Sequence, residues 1–594
     1  MPGYFLVTKL TLWKNPLFAA IGSIGLSFLL SPLITLPGSI LFHRATPYVI
    51  TLSIDLFLLV LLYSLRDREP IRFPEKNHSL FLGPLFLLIC SLVFIYSDIT
   101  KLGPYSEDWA YLFGIIKELS RNMPPSNPEA SFLLLKQSWG FWFLFALVHS
   151  LGGVSVWKVL EFMPVLLSFV YLGLVYMILF QATKNSSMGL WAIALLALGK
   201  QSDWVLRGFQ GLGWHPGYFF NLHWEEAQAL TGYSLLWGWY ILPSIIPPLT
   251  SLFFLIRYQQ ERRKKDLWFS LGACSISPFF HPVFYFSFLA GFSLMVLFQW
   301  MRKKYGSWLL LYALTFLPYF LTFYLYVKPG TPDIPIYQWY TDSASILIAI
   351  REYVKVNGVV LPFALLAFCF SPEARTWFLP FSFLFAFLNL FGQGVVNHTA
   401  HFLYQNSLYI TLPSAIGLGM LKKIPRWSRI LFILLVFSII IPPFYFQVLH
   451  RLETGWEGAV DVEQNAAGEY IRSYTDGNST FVILPDSRYS LVCVEGIGER
   501  KVISGHFNHL NKYETMNFIR NLNEEIKHFY SSSDLQEKHI FLQKYQAYYI
   551  FLGPEEITFM KEQKTDIERL KKVDQLVYRS KNVEILKVKL GDQS

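Results

Sequence analysis

Cysteine is scarce in this chain, with 4 in 594 residues. Cys90, Cys274 and Cys369 fall in apolar runs and only Cys493 in a polar stretch, which excludes a disulfide framework or a cysteine metal centre. Charge is also sparse, at 15% Asp, Glu, Lys and Arg. The long apolar stretches hold almost none of it, which argues against a transporter, where ionisable groups sit near the bilayer midplane. No glycine-rich phosphate fingerprint follows a strand-like run, so a nucleotide site of that kind is excluded. No repeat period is present either, which excludes a solenoid.

What the chain does have is apolar length. Hydrophobic residues make up 53% and mean hydropathy is +0.36, and the apolar runs approach the length a bilayer demands, so the sequence reads as a polytopic α-helical membrane protein. Aromatics reach 18%, with 54 Phe, suiting lipid-facing helices and interfacial belts. The net charge of +9 collects in short loops between apolar runs, the positive-inside pattern, so nucleic acid is not a partner and the bilayer is. Lys9 and Lys14 precede a first run without a small-residue cleavage signal, which reads as a retained first helix with a cytoplasmic amino terminus.

Counting crossings from there gives sidedness. Runs at about 17–37, 48–65 and 80–97 cross in turn, with Arg66, Arg68, Arg72 and Lys76 inside, and this places a first external loop at 98–156. Arg257, Arg262, Arg263, Lys264 and Lys265 are inside, so an odd number of crossings separates them from that loop. The polar-edged run 131–151, with Lys136, Gln137 and His149, is therefore expected to lie along the membrane surface as a helix. Runs at 157–182, 188–200 and 231–256 cross, leaving the Lys184 loop inside and 201–230 outside. Helices at 267–278 and 282–300 turn outside at His281-Pro282. Runs near 308–327, 357–372, 376–392, 403–421 and 429–447 then alternate with Arg375 and with Lys422, Lys423, Arg426 and Arg429 inside. The expectation is about thirteen transmembrane helices over 1–447 and an extracytoplasmic tail, 448–594.

That tail turns polar and carries short apolar runs at Phe481–Leu484, Lys501–Ser504 and Ala547–Leu552 between helix-like stretches, the pattern of an α/β domain. Asp486, Gly505 and Leu552-Gly553-Pro554 supply the stops.

The chemically suggestive residues are external. Glu107 and Asp108 form an acidic pair just beyond the third run. A carboxylate there can accept a proton from an acceptor hydroxyl or ligate a divalent ion that neutralises a leaving phosphate. Ser106, Glu107 and Asp108 equally suit the start of a helix beginning at Trp109, where they complement the amino-terminal dipole, and the residues alone leave both roles open. The 201–230 loop carries Asp203, Arg207, His215, His223, Glu225 and Glu226 among Trp204, Trp214, Tyr218 and Trp224. Aromatic rings with carboxylates suit a carbohydrate groove, and they also suit an interfacial belt. Asn397-His398-Thr399 matches a glycosylation sequon, but it abuts an apolar run and is read as chance.

Asp108 is followed by Leu112, Ile115, Ile116 and Leu119 at helical spacing, the Pro-rich stretch Asn122–Pro128, and Trp139-Gly140-Phe141. With His281-Pro282, Phe402–Met420, Gly468-Glu469-Tyr470-Ile471 and Gly505-His506-Phe507, this arrangement resembles the bacterial integral-membrane glycosyltransferases of the GT-C superfamily. The resemblance implies transfer of a sugar from a polyprenyl-phosphate donor to an extracytoplasmic acceptor (a glycan, lipid or protein) at the inner (plasma) membrane. It also implies Asp108 as catalytic carboxylate with Glu107 beside it, and a divalent cation, Mg or Mn, held at Asp108. Many members place an Arg before a late helix as phosphate clamp. Here that stretch reads Asn397-His398-Thr399-Ala400-His401-Phe402, with no Arg: either His398 and His401 substitute, or Arg207 from another loop does, or donor binding has been lost, with His281, His215, His223, Glu225 and Glu226 as further candidate substrate contacts. The rival readings are a catalytically inactive envelope-polysaccharide assembly protein, a polysaccharide polymerase or ligase, and a lipid-linked-sugar transporter.

Overall fold

The computed structural model describes residues 107–121, 125–134, 140–198, 242–301, 337–394, 398–439, 462–506, 516–566 and 574–588, together with scattered single positions. In chain order, helix α1 (Glu107–Arg121) leads into a hairpin of β1 (Ser126–Asn127) and β2 (Ala130–Leu134). There follow α2 (Gly140–Gly152), α3 (Val156–Thr183), α4 (Ser186–Leu198), α5 (Leu242–Glu261), α6 (Lys264–Phe280) and α7 (Pro282–Met301). Strand β3 (Tyr337–Trp339) and helices α8 (Ser343–Asn357), α9 (Leu361–Phe370), α10 (Pro372–Trp377) and α11 (Leu379–Phe391) come next, then β4 (Gly392–Gly394) and α12 (His398–Met420). A further helix, α13, runs over 426–439.

These helices form one bundle with a continuous apolar core. Leu242 to Arg257 of α5 are buried all round, against α3 and α6, as expected of a helix apolar on every face. Small residues let neighbours approach closely: Gly417 of α12 lies on the backbone of Phe363, Gly291 on the ring of Phe381 and Gly189 on the ring of Tyr176. Leu166–Thr183 and Pro282–Gln299 are each long and apolar enough to cross a bilayer, and Trp142–Gly152, Ser186–Leu196, Leu361–Phe370 and Leu379–Phe391 are shorter apolar helices.

Polar contacts give the bundle two ends. At one, Gln181 donates to Gln260 at 2.7 Å, Lys422 donates to Ser187 at 2.6 Å, and Arg257 lies 3.7 Å from the buried Asp266. The Lys184, Arg257–Lys265 and Lys422 loops, expected on one side of the membrane from charge alone, thus share one end. At the other end are the start of α3, the break between α6 and α7, and the β3–β4 pair, which joins the loops before α8 and α12.

Residues 131–151 depart from expectation. Residues up to Leu134 form β2, because Pro128-Glu129 turns the chain back onto Ser126-Asn127, and helix begins only at Gly140. At 13 residues α2 is about 20 Å long, too short to span about 30 Å of hydrocarbon. Its Gly140 packs against Phe279, near the end of α6, which agrees with a helix lying at the bundle's end.

The C-terminal region builds a five-stranded mixed sheet in the order β6-β5-β7-β9-β8, from β5 (Thr480–Val482), β6 (Lys501–Val502), β7 (Tyr549–Leu552), β8 (Gln575–Arg579) and β9 (Glu584–Lys587). β5 is parallel to β6 and β7, while β9 is antiparallel to both β7 and β8. Helices α14 (Val462–Tyr474), α15 (Arg488–Leu491), α16 (Met516–Ser531), α17 (Leu535–Lys544) and α18 (Pro554–Glu562) cover it, and a π-helical turn, Val492–Ile497, follows α15. The three expected strands are present but shorter. Asp486 turns with a positive φ of 61° and Pro554 opens α18, as their residue types require.

Candidate functional site

Helix α1 holds the site together because it has two faces with different partners. Tyr111, Ile115, Ile116 and Leu119 recur at helical spacing and are buried in the bundle core. Ala110, Gly114, Lys117, Glu118 and Arg121 form the other face and meet the C-terminal region. Ala110 joins the apolar cluster under the sheet. Lys117 Nζ lies 2.6 Å from Glu499, Lys501 Nζ lies 3.2 Å from Glu118, and Arg121 donates to the carbonyl of Gly477.

The hairpin completes the clamp through its backbone. Val502 N–H donates to Pro128 O at 2.9 Å and Gly505 N–H to Glu129 O at 3.0 Å, so the hairpin turn continues the edge of the sheet at β6. Residues more than 370 positions apart are thereby joined by main-chain bonds.

The electrostatics of this junction follow from burial. Arg500 is buried and donates to the carbonyls of Gly498, Glu499, Arg472 and Thr475 and to the Thr475 hydroxyl, which ties the π turn to the end of α14. Desolvation brings its guanidinium down to about 10. Glu499 sits in the left-handed region at φ 53°, a conformation disfavoured for a non-glycine residue, and there meets Lys117. Lys117 also lies 3.2 Å from His149 Nε2, while His149 Nδ1 is 2.6 Å from the carbonyl of Val154. Burial, and then the Lys117 ammonium, hold His149 below the usual imidazole range. The contacts set the tautomer: Nδ1 donates to the Val154 carbonyl and Nε2 accepts from the Lys117 ammonium, a structural role.

The expected site residues are placed as follows. Glu107 and Asp108 open α1, two residues earlier than the start anticipated at Trp109. His398 and His401 lie in the first turn of α12, directly after the β3–β4 pair. His281 is the extended residue (φ −163°, ψ 115°) that separates α6 from α7; it is half-buried, with its ring edge-on to Phe284 at 5.2 Å. The backbone therefore brings Glu107, Asp108, His281, His398 and His401 to the same end of the bundle. Arg207, His215, His223, Glu225 and Glu226, with the 201–230 loop, lie outside the described residues. Among the described residues no three His, Cys, Asp or Glu side chains converge as metal ligands.

Sequence reading missed Lys117, Glu118, Arg121, Glu129 and Glu495. The first four look like ordinary loop and helix charges, and only long-range pairing reveals them. Glu495 carried a legible signal, a lone carboxyl within the apolar run Leu491–Ile497.

No protein-family model and no curated protein sequence matches the chain. Its fold does have solved counterparts. Arabinofuranosyltransferase AftD from Mycobacteria superposes with a TM-score of 0.53 at 12% identity, over 87% of this chain and 40% of that one. ArnT from Cupriavidus metallidurans, solved with undecaprenyl phosphate, gives 0.49 at 11% identity over 85% and 97% of the two chains. The Archaeoglobus fulgidus oligosaccharyltransferase gives 0.40 at 13% identity over 83% and 72%. The first of these likenesses, with a TM-score above 0.5, shows a shared helical fold. It establishes the fold alone, and the chain spans only two fifths of AftD.

Proposed function

We propose that the protein is a membrane glycosyltransferase that moves a sugar from a polyprenyl-phosphate donor to an acceptor outside the cytoplasm. The observation carrying this reading is the position of α1: it begins on Glu107-Asp108 and is clamped between the bundle and the C-terminal region. The helical fold shared with AftD supports it, since AftD is an arabinofuranosyltransferase.

In this reading the architecture is of about thirteen transmembrane helices with the amino terminus cytoplasmic and residues 448–594 extracytoplasmic, in an inner membrane. Asp108 takes the proton of an acceptor hydroxyl as its oxygen attacks the anomeric carbon. The bond from that carbon to the phosphate oxygen breaks, and polyprenyl phosphate leaves with the electron pair. His398, His401 or Arg207 steadies the departing phosphate. A divalent ion, Mg or Mn, would have Asp108 as its ligand and would supply charge neutralisation at the phosphate.

The test is transfer from undecaprenyl-phosphate-linked hexose or pentose in membranes carrying wild-type protein or Asp108→Asn. Asn preserves the ability to start a helix, so folding is retained while proton acceptance is lost. General-base loss predicts a fall on the order of 100- to 10,000-fold. Full transfer by Asp108→Asn would remove the assignment.

A further inference from the structure

The junction between α1 and the C-terminal region contains one carboxyl that does not fit the pattern of its neighbours. Glu495 lies on the π turn and is fully buried, and among the described residues neither of its carboxyl oxygens has a hydrogen-bond partner. Gly114 of α1 and Pro128 of the hairpin press on it: a Cβ at Gly114 would lie 2.6 Å from both Glu495 Oε1 and the Pro128 Cβ. Glu129, also fully buried, adds a second acidic group from the hairpin.

The other charges around Glu495 have counterparts. From α1, Lys117 faces Glu499, Glu118 faces Lys501 and Arg121 faces the Gly477 carbonyl. Arg500 is saturated by four carbonyls and a hydroxyl. From α14, the residues against the π turn are Ala467, Gly468 and Ile471, while Glu469 and Arg472 pair with each other at the surface. From α15, Arg488 points outward. No cation on these elements is in contact with the Glu495 carboxyl, so an ionised Glu495 would be a buried, uncompensated charge next to another acidic residue, one of the costliest arrangements a protein can hold.

We propose that Glu495 is a proton-operated latch: the C-terminal region closes on α1 and the hairpin only while this carboxyl carries its proton, and ionisation releases the contact. Burial, and then the proximity of Glu129, push Glu495 well above the ordinary carboxyl range, in the direction the latch needs. The sign follows. The closed state binds a proton that the open state releases, so closure is fully favoured below the ordinary carboxyl pKa. It then weakens as pH rises toward the pKa of the closed state, about tenfold per unit for one linked proton. Since α1 begins on Glu107-Asp108, the latch sets whether that helix is held from both sides. The inference stands on the junction alone and does not depend on the reaction assigned above.

The experiment is hydrogen–deuterium exchange of the full chain in detergent micelles from pH 5 to 9, corrected for the intrinsic pH dependence of exchange, following peptides from 107–134 and 488–505. Wild type is expected to show an opening constant that rises about tenfold per pH unit above the ordinary carboxyl pKa until Glu495 titrates. Glu495→Gln, the neutral isostere of the protonated acid, is expected to fold and to give a flat profile. A flat wild-type profile, the same slope in Glu495→Gln, or failure of Glu495→Gln to fold would each overturn the latch.

Discussion

Gly114 of α1 lies against Glu495 of the π turn so closely that even one added carbon would stand 2.6 Å from a carboxyl oxygen and from the Pro128 side chain. Two effects of Gly114→Ala therefore oppose each other. Helix propensity favours Ala by roughly 1 kcal/mol, whereas overpacking a closed contact costs about 1–3 kcal/mol. Pro128 is held by the hairpin bond to Val502 and Glu495 by the π turn, so neither neighbour yields easily. Sterics should win. Gly114→Ala is expected to lower the thermal midpoint of the purified protein and to raise exchange at the junction, and an unchanged or higher midpoint would show that the contact has slack.

Lys117 sets a second relationship at the same junction, since it touches both Glu499 and His149. Glu499 is almost fully buried, so Lys117→Met leaves a carboxylate without its partner and should cost about 3–5 kcal/mol, whereas Lys117→Met with Glu499→Leu should recover most of that. The same single variant removes the ammonium that helps hold His149 down, so the His149 pKa should rise toward the ordinary imidazole value. Histidine-labelled NMR, with His149→Gln to assign the signal, reads that shift. No movement would mean that burial alone depresses His149.

How much of this was legible beforehand depended on the range of the interaction. Bundle sidedness came from Lys and Arg in short loops, a rule that needs no partner, and the Lys184, Arg257–Lys265 and Lys422 loops do share one end. The inward face of α1 was readable because Leu112, Ile115, Ile116 and Leu119 repeat at helical spacing. Its outward face was not, because Lys117, Glu118 and Arg121 find partners more than 350 residues away. Strands β3 and β4 are three residues each and exist only as a pair across two loops, so neither has a local pattern to read. β8 escaped for a related reason: no residue of Gln575–Arg579 is buried, so no buried face alternates with a solvent face to mark a strand.

Lys538 offers a pH test within the C-terminal region. Its ammonium is buried over the ring of Phe529, 4.7 Å from the centroid, and donates to the Phe529 carbonyl. Desolvation brings it from 10.5 to about 8, against a smaller opposing pull from Asp574. The folded state therefore releases its proton before the unfolded state does, and stability should rise between about pH 8 and 10.5, by roughly 3 kcal/mol in all if the shift is fully expressed. Lys538→Met lacks the linked proton. The difference between the two stability-versus-pH curves isolates this group from tyrosines that titrate in the same range, and parallel curves would show that Lys538 is solvated in the folded protein.

Gly417, near the end of α12, tests the packing of that helix against α9. A Cβ at Gly417 would lie 2.1 Å from the carbonyl oxygen of Phe363 on α9, and backbone cannot rotate away as a side chain can. Gly417→Ala must therefore push α9 and α12 apart, at a cost of about 1–3 kcal/mol or more. Gly272 of α6 is the matched control, since nothing lies within 4 Å of the position its Cβ would take, and Gly272→Ala should be neutral or stabilising by up to about 1 kcal/mol. Apparent melting midpoints in detergent separate the two. If both variants melt like wild type, the α9–α12 contact has room to relax and does not limit the stability of the bundle.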